Sequence, residues 1–363
     1  RRDRSALATH QLARFNQLLE SILPANRFYA DRLADVQWPL ESLDQLASWP
    51  MTVKDDLLGD DPDTEFAANL TYPLDQYVRF HRTSGTRGRP LVVLDTVDDW
   101  SWWINTWQFV LDAADMTESD RALMAFSFGP FIGFWTAFDA ATARGAMVIP
   151  TGGMSTLARL ELVRSCGATV VFCTPSYALH MAQAATEHEI SLTESAVRHI
   201  IVAGEPGGSI PTVCDRIESA WGARVVDHSG ASEVGPWGYA ATDRQGLHVV
   251  ESEFIAEFIS VDSGEPAADG ELSELVLTTL GRYGCPVIRY RTGDLVRPRR
   301  DRDGQNRFVL LEGGVLGRVD DMMIVRGVNI FPSSVEQILH GFPEIDEYRL
   351  IAHKQGEMDA LTV

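Results

Sequence analysis

At 363 residues, with 45% hydrophobic and 23% charged side chains, the chain has the size and composition of a globular protein of two or three packed subdomains. Its 31 basic residues stand against 51 acidic ones, and a formal charge of −20 repels phosphate backbones and anionic lipid. Nucleic acid and membrane surfaces are therefore not expected partners. No apolar run approaches the ~20 residues of a membrane helix, and the segment Arg1 to Ser5 lacks the apolar core of a secretion signal. Cys166, Cys173, Cys214 and Cys285 show no C-x-x-C pairing, so reduced thiols and a cytoplasmic location are the expectation.

From Leu7 to about Leu33 apolar residues recur at helical spacing (Leu12, Phe15, Leu18, Leu19, Ile22), interrupted at Pro24. Leu40 to Leu58 reads as short helices broken at Trp49-Pro50, which makes residues 1–75 a helical lobe. Tyr77 to Phe80 is a short strand. It leads into Thr83-Ser84-Gly85-Thr86-Arg87-Gly88-Arg89-Pro90, and the apolar run Leu91 to Leu94 follows. Glycines there let several N–H groups turn toward one anion, and the hydroxyls add donors. The residues alone leave an anion cradle and a plain hairpin turn both open. The Gly-Lys-Ser/Thr ending of the common NTPase loop is absent, and no helix signal follows.

Asp98 to Ala114 predicts a helix whose Trp100, Trp102, Trp103 and Trp107 are core residues. Leu123 to Phe126 predicts a buried strand. The next run, Phe128-Gly129-Pro130-Phe131-Ile132-Gly133-Phe134-Trp135, either lines an apolar pocket or packs a strand–helix junction with rings. Strands at Ala146–Ile149, Thr169–Phe172, Ile200–Ala203 and Arg224–Asp227 then alternate with helices at Met154–Ser165, Ser176–His188 and Ile210–Trp221. Such alternation predicts a parallel sheet covered by helices on both faces, with ligands beyond the carboxyl ends of its strands. Two loops fall at those ends, Gly204 to Gly208 and His228 to Gly235. Past Gly235 short alternating strands take over (Leu247–Val250, Phe254–Ser260, Glu274–Thr279, Val287–Tyr290, Phe308–Leu311), which predicts a β-rich subdomain. Ile324 to Ile330 reads as a hairpin and Ser333 to His340 as a helix.

The order of these segments closely resembles that of the adenylate-forming enzymes. A Ser/Thr/Gly loop precedes Gly204-Glu205-Pro206, then Gly230-Ala231-Ser232-Glu233, then Tyr290-Arg291-Thr292-Gly293-Asp294, then Gly317-Arg318-Val319-Asp320-Asp321. Within that superfamily the stretches Gly270 to Thr279 and Asp320 to Pro332 look most like the phenylacetate–CoA ligase family. The resemblance implies an α/β fold: a large N-terminal AMP-binding domain over 1–319, and a partial small α+β C-terminal domain over 320–363. The large domain comprises the helical lobe (1–75), an α/β core of parallel sheets between helices (76–235) and the β-rich subdomain (236–319).

The activity implied is attack of a carboxylate on the α-phosphate of ATP, giving acyl-AMP, followed by transfer to coenzyme A. Spreading negative charge in the first step calls for dense donors and Mg²⁺. By the resemblance, Thr83, Ser84, Gly85, Thr86 and Gly88 donate to the β- and γ-phosphates, and Glu233 holds Mg²⁺. Ser232 sits beside the α-phosphate and Arg318 contacts ribose or phosphate, so Glu233, Ser232 and Arg318 are the expected catalytic residues. Gly204, Glu205 and Pro206 border the adenine with Ser229 and Gly230, while Asp294 accepts from both ribose hydroxyls in a Gly-rich turn. A small aromatic acid is expected against Phe126, Phe131, Phe134, Trp135 and Gly230. Asp320 is the hinge position, Gly327 to Asn329 belong to the pantetheine tunnel, and a homodimer through the helical lobe is the family expectation.

Several positions depart from the family pattern. Arg87 stands where Thr is usual and Leu91 where Lys or Thr is common. Ser229 replaces the Tyr that stacks on adenine, which leaves His228 or another ring for that task. His248 survives from the structural zinc site of some relatives, but Ala240-Ala241 replaces Cys and 297–316 holds none, so no zinc is expected. The family's catalytic lysine would lie beyond Val363, and Lys354 comes too early to replace it. Arg289 and Arg291 alternate about Tyr290, so only one of them can face the site. Taken singly, Asp294 also fits a turn aspartate and Glu233 a helix-start carboxylate. Two rival functions fit the same motifs: adenylation with delivery to a carrier protein or amine, and a nucleotide-binding relative without catalysis.

Overall fold

A computed structural model of the chain describes residues 3–58, 66–83, 90–133, 135–241, 243–300, 306–321, 323–325, 328–330, 335, 339, 349–355 and 358–362. The N-terminal lobe comprises helices α1 (Arg4–Ile22), α2 (Arg27–Arg32) and α3 (Lys54–Leu58), with a 3-10 turn over Leu43–Ser48. Asp3 caps α1 by accepting from the Ala6 N–H, and the helix buries Phe15, Leu18, Leu19 and Ile22. The lobe is tied to the rest of the chain through backbone. Thr52 donates its N–H to the Arg289 carbonyl and accepts from the Arg291 N–H, both at 2.9 Å. That bridge sets the chain just before α3 beside Tyr290.

Strands β1 (Tyr77–Arg82) and β2 (Val92–Thr96) form the antiparallel hairpin expected around the Ser/Thr/Gly loop. Helix α4 (Val97–Ala113) starts at once, because Thr96 and Asp99 form a reciprocal capping box. Its four tryptophans are buried, as their helical spacing predicts. The alternating region follows: β3 (Arg121–Met124), α5 (Trp135–Ala143), β4 (Met147–Pro150), α6 (Thr156–Ser165), β5 (Val170–Cys173), α7 (Pro175–Glu187), β6 (His199–Val202), α8 (Pro211–Trp221) and β7 (Arg224–Ala231). The strands pair in parallel in the order β4-β3-β5-β6-β7. Fully buried Val170, Val171, Phe172, Ile200, Ile201 and Val226 make these the continuous apolar runs that two covered faces demand.

The α/β expectation holds, with corrections to its second half. His228 to Gly235 is not a loop beyond a strand end. Strand β7 runs on through Ala231, turns at Ser232–Val234, and returns as the antiparallel β8 (Gly235–Ala240). Strands β9 (Gly246–Val249), β13 (Pro298–Arg299) and β14 (Leu310–Glu312) continue on β8, so the main sheet has nine strands and is mixed. A separate antiparallel sheet contains β10 (Phe254–Ser260), β11 (Ser273–Thr279), β12 (Tyr290–Val296) and β15 (Gly317–Arg318). The expected strand Val287–Tyr290 is displaced: β12 begins at Tyr290 and includes the Thr292-Gly293-Asp294 motif. Hairpins β16 (Met323–Val325) with β17 (Val328–Ile330), and β18 (Ile351–Gln355) with β19 (Met358–Thr362), complete the chain. The first is the expected one, and the second was not foreseen. The helix expected over 333–340 lies mostly outside the described residues.

Candidate functional site

Three of the motifs meet around Tyr290. This residue opens β12, is buried, and its hydroxyl feels the charges of Glu233, Arg318, Asp294 and Asp320. Burial first, and then these carboxylates, push its phenol well above the usual range. Asp294 lies four residues along the same strand, and its backbone pairs with that of Arg318 on β15. Arg318 Nη1 donates to Asp294 Oδ1 at 2.9 Å, and its Nη2 reaches Asp320 Oδ2 at 3.5 Å. Burial pushes the Asp294 carboxyl up to about 6 against the pull of Arg318, and the negative charge of Glu233 adds to the rise. Glu233 and Asp294 therefore share one electrostatic neighbourhood.

Gly293 makes that closeness possible. Its φ of +77° suits glycine, and a Cβ there would lie 2.8 Å from Arg318 Nη2 and 3.3 Å from Asp320 Oδ1. Asp294 thus sits in a strand with a glycine-bent backbone rather than in the turn expected. Asp320 occupies a 3-10 turn over Val319–Asp321, directly after β15.

Glu233 is buried in the β7–β8 turn, and Lys54 Nζ of α3 approaches its Oε1 to 2.9 Å. Lys54 was not singled out from sequence, since a lysine before Asp55-Asp56 reads as a solvated helix start. Beneath the turn, Arg282 donates Nη1 to the Ser232 carbonyl at 2.8 Å and to the Glu233 carbonyl at 3.0 Å. This residue, too, carried no local signal.

Thr83 is buried at the root of the hairpin loop. Its hydroxyl oxygen accepts from the Leu91 N–H at 3.0 Å, and its own N–H donates to the Leu91 carbonyl. Ser84, Gly85, Thr86, Arg87 and Gly88 lie outside the described residues, as does Gly327.

Gly204, Glu205 and Pro206 lie at the surface, and Glu205 Oε1 accepts from the Ser176 N–H at the start of α7. A cavity of ≈ 330 Å³ runs from Pro206 past Ile210 to Val315 and Leu316, just before Gly317-Arg318. A second of similar volume is lined by Gly208, Ser209 and Asp227. Asp227 ends the parallel part of β7 and accepts from the Ser209 hydroxyl. Gly208 is required beside it, because a Cβ would fall 2.2 Å from Asp227 Oδ1. Burial pushes the Asp227 carboxyl up to about 7, so the folded state resists its ionisation. The stability this group contributes is present in acid and fades as pH rises through about 7. Asp227→Asn is therefore expected to melt higher than the parent at pH 8, with the advantage shrinking toward pH 5 in thermal melts.

His228 does not offer the missing ring. It points away from Ser229 into the core, with its ring centroid 4.2 Å from that of Trp107 and its Nδ1 donating to the Gly238 carbonyl. Burial lowers its pKa to about 4, which keeps it neutral. Ser229 and Gly230 lie on the β7 edge facing β8, with Ser229 in register with Gly238. Neither Arg289 nor Arg291 bonds to the cluster. Arg289 is buried on Glu257 and on the carbonyls of Ala47 and Trp49, and Arg291 pairs with Glu274. Arg289 joins the lobe to the small sheet, and Arg291 ties two strands of that sheet together.

The aromatic run is packed largely on itself. Phe128 lies 4.9 Å from Phe126 and 4.6 Å from Trp135, whose Nε1 donates to the Gly129 carbonyl. Phe131 is 52% exposed, and Phe134 lies outside the described residues. Among the described residues no group of three or more His, Cys, Asp or Glu is placed to hold a metal ion. No helix among them is long and apolar enough to cross a membrane. His248 Nδ1 faces the Phe308 carbonyl.

Residues 43–276 match the AMP-binding enzyme family, and residues 327–363 match the AMP-binding enzyme C-terminal domain. The phenylacetate-coenzyme A ligase of Pseudomonas putida is 32% identical over 365 residues, covering 99% of this chain and 81% of that protein. The enzyme of the same description from Escherichia coli is 36% identical, covering 88% and 72%. A solved structure of 2-hydroxyisobutyryl-CoA ligase with an acyl-AMP superposes with a TM-score of 0.90 at 24% identity, covering 99% of this chain and 78% of that one, and shows the shared fold. Another, with 2-HIB-AMP and CoA in the thioesterification state, gives 0.81 at 26% identity over 98% and 77%. The chain belongs to the AMP-binding enzyme family. Within it, the chain is an AMP-forming acid–CoA ligase, of a kind that uses ATP and coenzyme A.

Proposed function

We propose that the acid is small and aromatic, as the descriptions of the phenylacetate-coenzyme A ligases suggest, and that the site residues act as the motifs imply. The observation that carries the reading is the convergence of Glu233, Asp294 and Arg318 on Tyr290 from three separate motifs. Asp294 is the acceptor for the ribose hydroxyls, with Arg318 holding the carboxylate in place from one side. The cavity between Pro206 and Leu316 takes the base. Its apolar lining by Pro206, Ile210 and Leu316 serves where Ser229 supplies no ring. Ser232 and the Thr83 end of the hairpin face the phosphates.

Glu233 fits a Mg²⁺ site of the usual kind, in which one or two carboxylates share the ion with substrate phosphates. Such an ion, when bound, neutralises charge on the phosphoryl oxygens. Lys54 presents a second positive charge to the same carboxylate. Asp320 is the hinge for the C-terminal segment. Four free thiols, three of them buried, fit a reducing cytoplasm.

The test is pyrophosphate release from ATP over a panel of small aryl and aliphatic acids, with mass analysis of the products after addition of coenzyme A. Release with phenylacetate-like acids and appearance of their thioesters is the expected result. Aliphatic acids alone as substrates would overturn the aromatic assignment. Adenylate that hydroxylamine traps but coenzyme A never captures would point to a different acceptor.

A further inference from the structure

A buried cluster lies directly beneath the Ser232–Glu233 turn. Arg282 is fully buried on the connection between β11 and β12, and its Nη1 donates to two successive carbonyls, those of Ser232 and Glu233. Its Nε donates to Asp95 Oδ1 at 2.8 Å, and Asp95 is also fully buried. The same oxygen accepts from Trp103 Nε1 at 3.0 Å, and the guanidinium lies 5.2 Å from the Trp103 ring centre. Asp99 fixes the next residues by accepting from the Tyr283 and Gly284 N–H groups. Every part of the Arg282 fork that bonds is thus held by a rigid element.

Asp95 belongs to β2, the second strand of the hairpin that carries the Ser/Thr/Gly loop. On β1, His81 Nδ1 stands 3.8 Å from Asp95 Oδ2, two residues before Thr83. Its ring stacks on Trp100 at 5.2 Å. A continuous chain of side chains therefore runs from the root of that loop to the backbone of the Glu233 turn. A buried ion pair alone is weak evidence for a contribution to stability. The two bonds to carbonyls, however, hold the backbone from which the Glu233 side chain leaves the turn.

We propose that Arg282 is a positioning residue for adenylation: through Asp95 it locks the Ser232–Glu233 turn to the phosphate-loop hairpin, and so aims the Glu233 carboxylate at the metal–triphosphate. The assignment rests on the adenylation reading above and adds to it a residue outside the motifs. Arg282 touches neither substrate nor metal. Its effect falls on the half-reaction that needs Glu233, and the thioester-forming half is spared.

Arg282→Lys keeps the positive charge but loses the planar fork that reaches Asp95 through Nε and the two carbonyls through Nη1 at the same time. In the full chain, it is expected to lower phenylacetate-dependent pyrophosphate release by at least about tenfold, as loss of an outer support for a metal ligand does. It is also expected to raise the Mg²⁺ concentration for half-maximal rate. Thioester formation from presynthesised phenylacetyl-AMP and coenzyme A should change less than about threefold, well short of that loss. A second readout does not need turnover: Mg²⁺ should add to the thermal shift that ATP gives the parent, and this increment should shrink in Arg282→Lys. If the parent itself turns over no acid, the activity reading fails, while the Mg²⁺·ATP shift still tests Arg282. Asp95→Asn, which removes the counterion at nearly constant shape, should show the same split. Equal losses in both half-reactions with an unchanged Mg²⁺ increment would overturn the proposal. Failure of both variants to fold would also overturn it, by marking the pair as a stability element.

Discussion

Glu233→Gln is expected to reduce acid-dependent pyrophosphate release by at least about a hundredfold, the scale of losing one electrostatic group aimed at a transition state. The glutamine side chain would retain the shape and one acceptor oxygen, but it removes the charge that a hard divalent ion requires. Glu233 is buried, with Arg282 holding its backbone and Lys54 at its carboxylate. Asp294 is committed to Arg318. Stopped-flow or coupled pyrophosphate assays at saturating ATP would check the loss. Conversion of presynthesised acyl-AMP to thioester should fall much less, because pyrophosphate and its metal have left by that stage. A Glu233→Gln enzyme within a few-fold of the parent in the first half-reaction would remove Glu233 from the mechanism.

Asp294→Ala carries the second large effect, and it falls on nucleotide binding. Hydrogen bonds to a charged acceptor are worth roughly 1.5–3 kcal/mol each. Loss of even one of the two ribose contacts should therefore weaken ATP by about ten- to a hundredfold, and loss of both by more, read by calorimetry or fluorescent-nucleotide displacement. The pH dependence follows from the same group. Burial pushes its carboxyl up to about 6 in the folded chain. Above that pH it is an acceptor for both ribose hydroxyls and for Arg318. Below it the proton occupies one acceptor site and the attraction to Arg318 is lost. ATP affinity is expected to fall as pH drops through about 6, and the fall should be absent in Asp294→Ala. An alanine variant with parental affinity at alkaline pH would contradict the assignment.

The alternating half of the fold was legible because its boundaries carry local chemistry. Thr174-Pro175 caps and starts α7, Pro211 starts α8, and Gly222 at φ +65° ends it. The continuation of β7 through Ser229-Gly230-Ala231 was hidden by composition, since small residues between an aspartate and a glutamate read as a loop. They are small for a packing reason: a Cβ on Gly230 would approach the Gly235 carbonyl to 3.0 Å, across the turn into β8. Strand β12 was misplaced for a related reason. Arg289, at φ +48°, breaks the strand that Val287 to Tyr290 suggested, and Gly293 bends the one that follows.

The motif residues Glu233, Asp294 and Arg318 were legible by their order along the chain, and the structure brings their charges together. Lys54, Asp95, Asp227 and Arg282 were not. Each is paired with a partner distant in sequence, and each is locally unremarkable: a helix-start lysine, a strand aspartate, a strand-end aspartate and a turn arginine. The aromatic run Phe126 to Trp135 left a pocket and a packed junction both open on its residues alone, and the family resemblance made Phe126, Phe131, Phe134 and Trp135 the expected contacts of the aromatic acid. Its described rings make a packed junction, with Phe131 turned to the surface.

The most direct test is a crystal structure of the full chain with ATP and Mg²⁺. The account predicts both ribose hydroxyls within hydrogen-bond distance of the Asp294 carboxylate, about 2.6–3.2 Å, with the base beside Pro206 and the metal on Glu233. A nucleotide bound elsewhere, with the Arg318–Asp294 and Lys54–Glu233 pairs undisturbed and no phosphate near Ser232, would contradict it.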